Sequence, residues 1–146
     1  MFYPQNLHTH STFCDGKDDC ESTVLKAMEI GFTAIGFSGH SHTDYIAKSS
    51  SMSVANTALY KKEIARLKKK YEGQIEVLCG LEFDQYSDDD RQGYDYIIGT
   101  NHYLKVDGTF IGFDTSAEEV QKTIDDYFSG DGLRFAKEYY RQGRLP

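Results

Sequence analysis

Residues 20–40 read CESTVLKAMEIGFTAIGFSGH, and their order decides the fold class. From Cys20 to Ile30 the apolar residues Val24, Leu25, Ala27 and Met28 share a helical face, and Gly31 suits the position just past a helix end. Residues 33–38 then form a short apolar run of strand length. The run ends in Gly39-His40. A helix followed by a short buried strand is the repeating unit of a parallel α/β fold.

The same pattern continues on both sides. Upstream, a short run at 5–8 leads into a polar loop at 11–19. Downstream, a long polar loop (40–52) precedes a helix reaching about Tyr71, with Leu59, Ile64, Leu67 and Tyr71 as its apolar stripe and Gly73 at its end. A third run spans 75–81, an acidic turn 87–90, and a fourth run 94–98. Val106-Asp107-Gly108-Thr109 reads as a turn. Ser116 to Glu119 is a capping box, S-x-x-E, with Val120, Ile124 and Phe128 on one face beyond it. A last helical segment runs from Leu133 toward Gln142. The chain therefore reads as four βα units in one domain of 146 residues.

Composition narrows the function. Hydrophobic residues make up 39% and charged residues 27%, which is globular composition. No apolar run approaches the roughly 18 residues of a membrane span. The first ten residues lack the basic start and apolar stretch of a signal peptide, so a cytoplasmic protein is expected. With 16 basic against 23 acidic residues the net charge is -7, which disfavours a nucleic-acid partner. The basic run Lys61, Lys62, Arg66, Lys68, Lys69, Lys70 reads as the solvated face of a helix. Cys14, Cys20 and Cys79 form no CxxC and read as reduced thiols.

The chemistry lies at the ends of the short runs. The first ends in His8-Thr9-His10, with Asp15 five residues on. The second ends in His40, the third in Gly80-Leu81-Glu82, the fourth in Gly99-Thr100-Asn101-His102. In parallel α/β folds the C-terminal strand ends share one rim, where sites form. Alternate residues of an extended chain point the same way, so His8 and His10 reach one ion or two adjacent ions together. Imidazole nitrogen and carboxylate oxygen suit Zn, Fe or Mn. A bridging carboxylate such as Glu82 and an acidified water are the equipment of metal-assisted hydrolysis. Each feature alone has an ordinary structural reading, but four strand ends carrying ligands together do not.

These residues carry a resemblance. The opening L-H-T-H-S-T-F-C-D-G, the stretch G-F-S-G-H-S-H-T-D, and the strand ends G-L-E-F-D and I-I-G-T-N-H-Y resemble the motifs of the PHP superfamily, polymerase and histidinol phosphatase, and most closely its histidinol-phosphatase branch. The resemblance spans about residues 6–140. It implies a distorted seven-stranded (β/α) barrel with two or three divalent metal ions (Zn, Fe or Mn). It carries over His8, His10, Asp15, His40, Glu82 and His102 as ligands, and places His42 as a catalytic residue near the phosphate. The implied activity is hydrolysis of L-histidinol phosphate to L-histidinol and phosphate, a step of histidine biosynthesis. Other PHP phosphoesterases act on phosphotyrosine or nucleotides, and a metal-binding portion without catalysis is the third reading.

Family members carry further ligands downstream, whereas this chain has no histidine after His102. The expectation is thus an incomplete (β/α) barrel of about four βα units of seven, residues 1–146 being the N-terminal part of a single PHP domain. Its partner would be a small phosphorylated substrate, with no nucleic acid or membrane, and it would self-associate through the open barrel edge. The run 94–98 is expected to expose its backbone and an aromatic face there. The loop 42–51 is expected to shape the substrate pocket.

Overall fold

The computed structural model describes residues 4–44 and 50–143. The chain divides into two compact units, Met1–Ile98 and Gly99–Pro146. The first holds β1 (Gln5–Asn6), α1 (Cys20–Glu29), β2 (Ala34–Phe37), α2 (Val54–Lys70) and β3 (Glu76–Asp84), and β4 (Tyr96–Thr100) starts within it. The sheet order is β1-β2-β3-β4. β1 pairs parallel with β2 (Gln5↔Ala34) and β2 parallel with β3 (Ala34↔Glu76 to Phe37↔Cys79). Parallel neighbours joined through helices are the opening turns of a (β/α) barrel, the fold class expected from the sequence.

Local chemistry sets the helix limits. The Asp19 carboxylate accepts from the Ser22 amide at the start of α1, and the Ser53 hydroxyl from the Asn56 amide at the start of α2. Gly31 and Gly73, both at positive φ, let the chain turn after each helix. The helices pack on the sheet and on each other through Cys20, Val24 and Ala27 of α1 and Tyr60, Ile64 and Leu67 of α2, against Ile35, Phe37, Val77, Cys79 and Leu81. Each such fully buried aliphatic side chain contributes about 1.5–3 kcal/mol.

Two predicted helix faces are corrected. Leu59 lies 54% exposed, and the buried stripe of α2 is Thr57, Tyr60, Ile64 and Leu67, continuing to Tyr71. Steps of three and four residues keep one side of a helix inward, and Leu59 falls outside that series. Leu25 of α1 likewise faces outward.

The ladder between β2 and β3 lapses at Ser38 and Gly39 and resumes with a parallel bridge, His40↔Glu82. Beside the lapse the Tyr60 hydroxyl sits 2.7 Å from the Phe37 carbonyl and 2.8 Å from that of Gly80. On β4, Tyr96 does not present an outward aromatic face, contrary to the expectation. Its ring crosses β3 and β2, and its hydroxyl donates to the Leu7 carbonyl at 2.5 Å.

The second unit also departs from the expected pattern. The fourth strand leads not into a helix but into an antiparallel hairpin of β5 (Tyr103–Val106) and β6 (Thr109–Gly112). Asp107 and Gly108 both take positive φ, 48° and 83°, the two-residue turn that matches strand twist. α3 (Ala117–Phe128) and α4 (Gly132–Gln142) follow. Ser116 caps α3 through the Glu119 amide, as the motif predicts. Leu104, Phe113 and Phe128 form a small core, joined by Phe135 and Tyr139 in edge-to-face contacts. Among the described residues no helix is long and apolar enough to cross a membrane.

Candidate metal centre

The first unit delivers its candidate ligand side chains at the C-terminal ends of its strands. β1 is short, and the chain beyond it is tied at several points. The His8 amide donates to Asn6 Oδ1 at 3.0 Å, and the Ser38 amide to the Thr9 carbonyl at 2.9 Å. His40 and Glu82 are brought level by their bridge, with the Glu82 amide on the Gly39 carbonyl (3.1 Å) and the Ser41 amide on the Glu82 carbonyl (2.9 Å). The loop after His10 folds back on itself, since the Cys14 and Gly16 amides both donate to the Ser11 carbonyl at 3.0 Å. A Cβ at Gly16 would lie 2.4 Å from the Ser11 nitrogen, so only glycine permits the approach that returns Asp15 to His10.

These constraints focus on one oxygen. Glu82 Oε2 lies 3.1 Å from His8 Nε2, 3.0 Å from His10 Nε2 and 3.4 Å from His40 Nδ1. Asp15 completes the other side, with Oδ1 2.8 Å from His10 Nδ1 and Oδ2 3.4 Å from His40 Nε2. His8 and His10 stack at 5.3 Å, and His10 meets His40 edge-on at 4.4 Å. Within the first unit, two groups each gather potential ligand atoms within 4.8 Å of one another, His8 with His10 and Glu82, and His10 with Asp15 and His40.

The electrostatics fit a cation. Both ring nitrogens of His10 face acceptors. Cys14 first and Glu82 next, with Asp15, raise its pKa from 6.5 to about 10, although burial opposes them. Burial pushes the Asp15 carboxyl up, but His10 and His40 outweigh it and hold it low. The Cys14 thiol, 3.7 Å from His10 Nδ1, is likewise lowered by His10 and by backbone donors against the opposing effect of burial. Carboxylates on both sides of His10 give the pocket a negative potential that would draw a divalent ion, and its N and O donors suit Zn, Fe or Mn.

The structure therefore brings His8, His10, Asp15, His40 and Glu82 together. His102 lies in the second unit, where its Nε2 is 3.2 Å from Thr100 Oγ1 and 3.9 Å from Asp114 Oδ2. His42 stands apart from both ligand groups of the first unit. Its Nδ1 donates to the Met52 carbonyl at 2.9 Å, and its Nε2 is 2.8 Å from Asp44. The Met52 carbonyl and then Asp44 raise its pKa, burial opposing. Residues 45–49 of the pocket loop predicted at 42–51 lie outside the described residues. Tyr96 was missed by sequence reasoning. The available signal was glycine inside two adjacent strands, Gly36 and Gly80, since interior glycines mark a close approach.

Comparison with known proteins gives a consistent result. The PHP domain family matches residues 6–145. A histidinol-phosphatase of Bacillus subtilis is 30% identical over 152 residues, covering 92% of this chain and 56% of its own length. A Listeria monocytogenes crystal structure, provisionally assigned as a histidinol phosphatase, superposes with a TM-score of 0.75 at 25% identity over 95% of this chain and 59% of that one. A histidinol phosphate phosphatase of Lactococcus lactis, crystallised with zinc, L-histidinol and phosphate, is similar in fold, with a TM-score of 0.56 at 22% identity. It covers 81% of this chain and 49% of that one. The chain thus spans between about half and three-fifths of the length of these proteins.

Proposed function

The chain belongs to the PHP domain family, and on that premise we propose that it is the ligand-bearing N-terminal portion of a metal-dependent phosphomonoesterase that hydrolyses L-histidinol phosphate to L-histidinol and phosphate. The observation that carries the reading is the convergence of three imidazoles on the buried Glu82, with the Asp15 carboxylate closing the far side of His10 and His40. The choice of substrate is supported by the name of the Bacillus subtilis relative and by the ligands of the Lactococcus lactis structure. A cytoplasmic setting and a place in histidine biosynthesis belong to the same reading.

His8, His10 and Glu82 would hold one part of the centre, and Asp15 and His40 the part on the other side of His10. The two overlapping groups are the reason to expect two or three ions, of zinc, iron or manganese. Bound there, such ions polarise phosphoryl oxygens and lower the pKa of a water to near neutrality. The chain's own residues do the rest. Glu82, 5% exposed, fixes where positive charge collects. The His8 side chain is 50% exposed, so the substrate approaches on its side. His42 keeps Nδ1 on the Met52 carbonyl, which leaves Nε2 as the atom able to exchange Asp44 for a phosphate oxygen.

The experiment is phosphate release by the chain supplied with manganese or zinc, from histidinol phosphate, phosphotyrosine and nucleotides. Preference for histidinol phosphate supports the reading, and preference for either other class moves the substrate within the family. One observation favours a second reading, a metal-binding portion without turnover: the chain spans 56% of the curated relative. Metal retention with no release from any substrate would select it.

A further inference from the structure

We propose that Tyr96 is a positioning residue for this centre, its hydroxyl fixing the segment that carries His8 and His10; the inference rests on the metal-centre reading above. β1 contributes only two paired residues, Gln5 and Asn6, so the sheet ladder ends before the histidines begin. From Leu7 onward the described anchors include the His8 amide on Asn6, the Ser38 amide on Thr9, and the Tyr96 hydroxyl on the Leu7 carbonyl. Of these, only the last comes from beyond β2.

Tyr96 stands on β4, and Leu7 lies just past β1, with two strands, β3 and β2, between them. The ring makes the crossing because both intervening strands carry glycine where it passes. A Cβ at Gly80 would lie 2.2 Å from Tyr96 Cζ, and one at Gly36 would lie 2.3 Å from the Tyr96 hydroxyl oxygen. No real side chain fits at either place while the ring stays. The hydroxyl is 2.5 Å from the Leu7 carbonyl and 3.2 Å from that of Phe37. One side chain therefore references three strands against each other: Leu7 directly precedes His8, Phe37 lies three residues before His40, and Gly80 two before Glu82. Fixing the Leu7 peptide plane sets which way the alternating His8 and His10 point. Partners that orient metal ligands typically change affinity by about 10–100-fold when removed.

A filler of sheet space would need the ring alone, so Tyr96→Phe separates the two roles. Cobalt(II) titration followed by its visible absorption, circular dichroism and amide exchange in the metal-free protein would compare wild type, Tyr96→Phe and Gly80→Ala. Ile64→Val serves as a fold-destabilised control remote from the site. The expected result is a folded Tyr96→Phe protein that binds cobalt at least about 10-fold more weakly. Its absorption band should be altered, and exchange at the His8 and Ser38 amides faster. Ile64→Val should keep the wild-type affinity and band. Gly80→Ala, which displaces the ring but keeps the hydroxyl, should resemble Tyr96→Phe. Wild-type affinity, band and amide exchange in Tyr96→Phe would overturn the inference. If wild type itself takes up no cobalt, the metal reading fails, and amide exchange alone decides Tyr96: faster supports it, unchanged overturns it.

Discussion

At Glu82 three imidazole nitrogens lie within 3.4 Å of one carboxylate oxygen. Removing that charge while keeping its volume should undo the site without undoing the fold. Glu82→Gln is expected to lose metal on dialysis that wild type retains, with an affinity lower by at least about 100-fold, since a coordinating carboxylate is harder to replace than an outer partner. Metal analysis after dialysis, beside an unchanged circular dichroism spectrum, checks it. A second residue reports on stability. Lys70 first, then Arg66 and Tyr71, hold the Glu21 carboxyl at about 2, below its ordinary 4.5. Because the folded pKa lies below the unfolded one, this network stabilises the fold fully above about pH 4.5, and the contribution disappears as pH falls toward 2. Glu21→Gln should therefore lower the urea midpoint at pH 7 and leave it equal to wild type near pH 2. The effect will be modest, as the charged partners Lys70 and Arg66 are solvent-exposed.

Elements decide where the core lies, and here α2 gives the sharpest test. Ile64 is fully buried between α2 and the sheet, while Leu59 on the same helix is 54% exposed. Ile64→Ala should cost about 2–5 kcal/mol, and Leu59→Ala should stay within about 0.5 kcal/mol, both read from denaturant unfolding. The sequence pattern favoured Leu59 because it is the more apolar residue. Tyr60 takes the inward place because its hydroxyl finds the carbonyls of Phe37 and Gly80 beside the lapse in the ladder. A tyrosine so buried is invisible to hydropathy alone. The strand ends were legible for the opposite reason: parallel strands covered by helices read as short apolar runs, and His40 and Glu82 stand at the C-terminal ends of theirs. β1 was less so, because only Gln5 and Asn6 pair and both are exposed. The hairpin of β5 and β6 was legible as a turn at Asp107-Gly108 but not as strands, since Lys105 and Thr109 break the apolar pattern. Tyr96 had no signal in its own stretch, its hydrogen-bond partners lying 59 and 89 residues away, and only the glycines of β2 and β3 pointed to it.

For the whole molecule, the sheet order ends at β1 and β4, so two edges remain where a closed barrel has none. Ile97 on β4 is 39% exposed, and Leu133 and Tyr140 of α4 are 66% and 72% exposed. An unpaired strand edge with an exposed apolar side chain such as Ile97 is a template for pairing with a second copy. Light scattering behind size exclusion should give a mass that rises above 16.6 kDa with concentration, and a monodisperse monomer would contradict this. Function depends on the side chains at the strand ends forming one metal centre. The direct measurement is anomalous diffraction at the zinc edge from crystals of this chain grown with zinc. Anomalous peaks are expected at bonding distance, about 2.0–2.2 Å, from His8, His10 and Glu82 and from Asp15 and His40. A chain that diffracts well with zinc bound elsewhere, or with no peak among those five side chains, would contradict it.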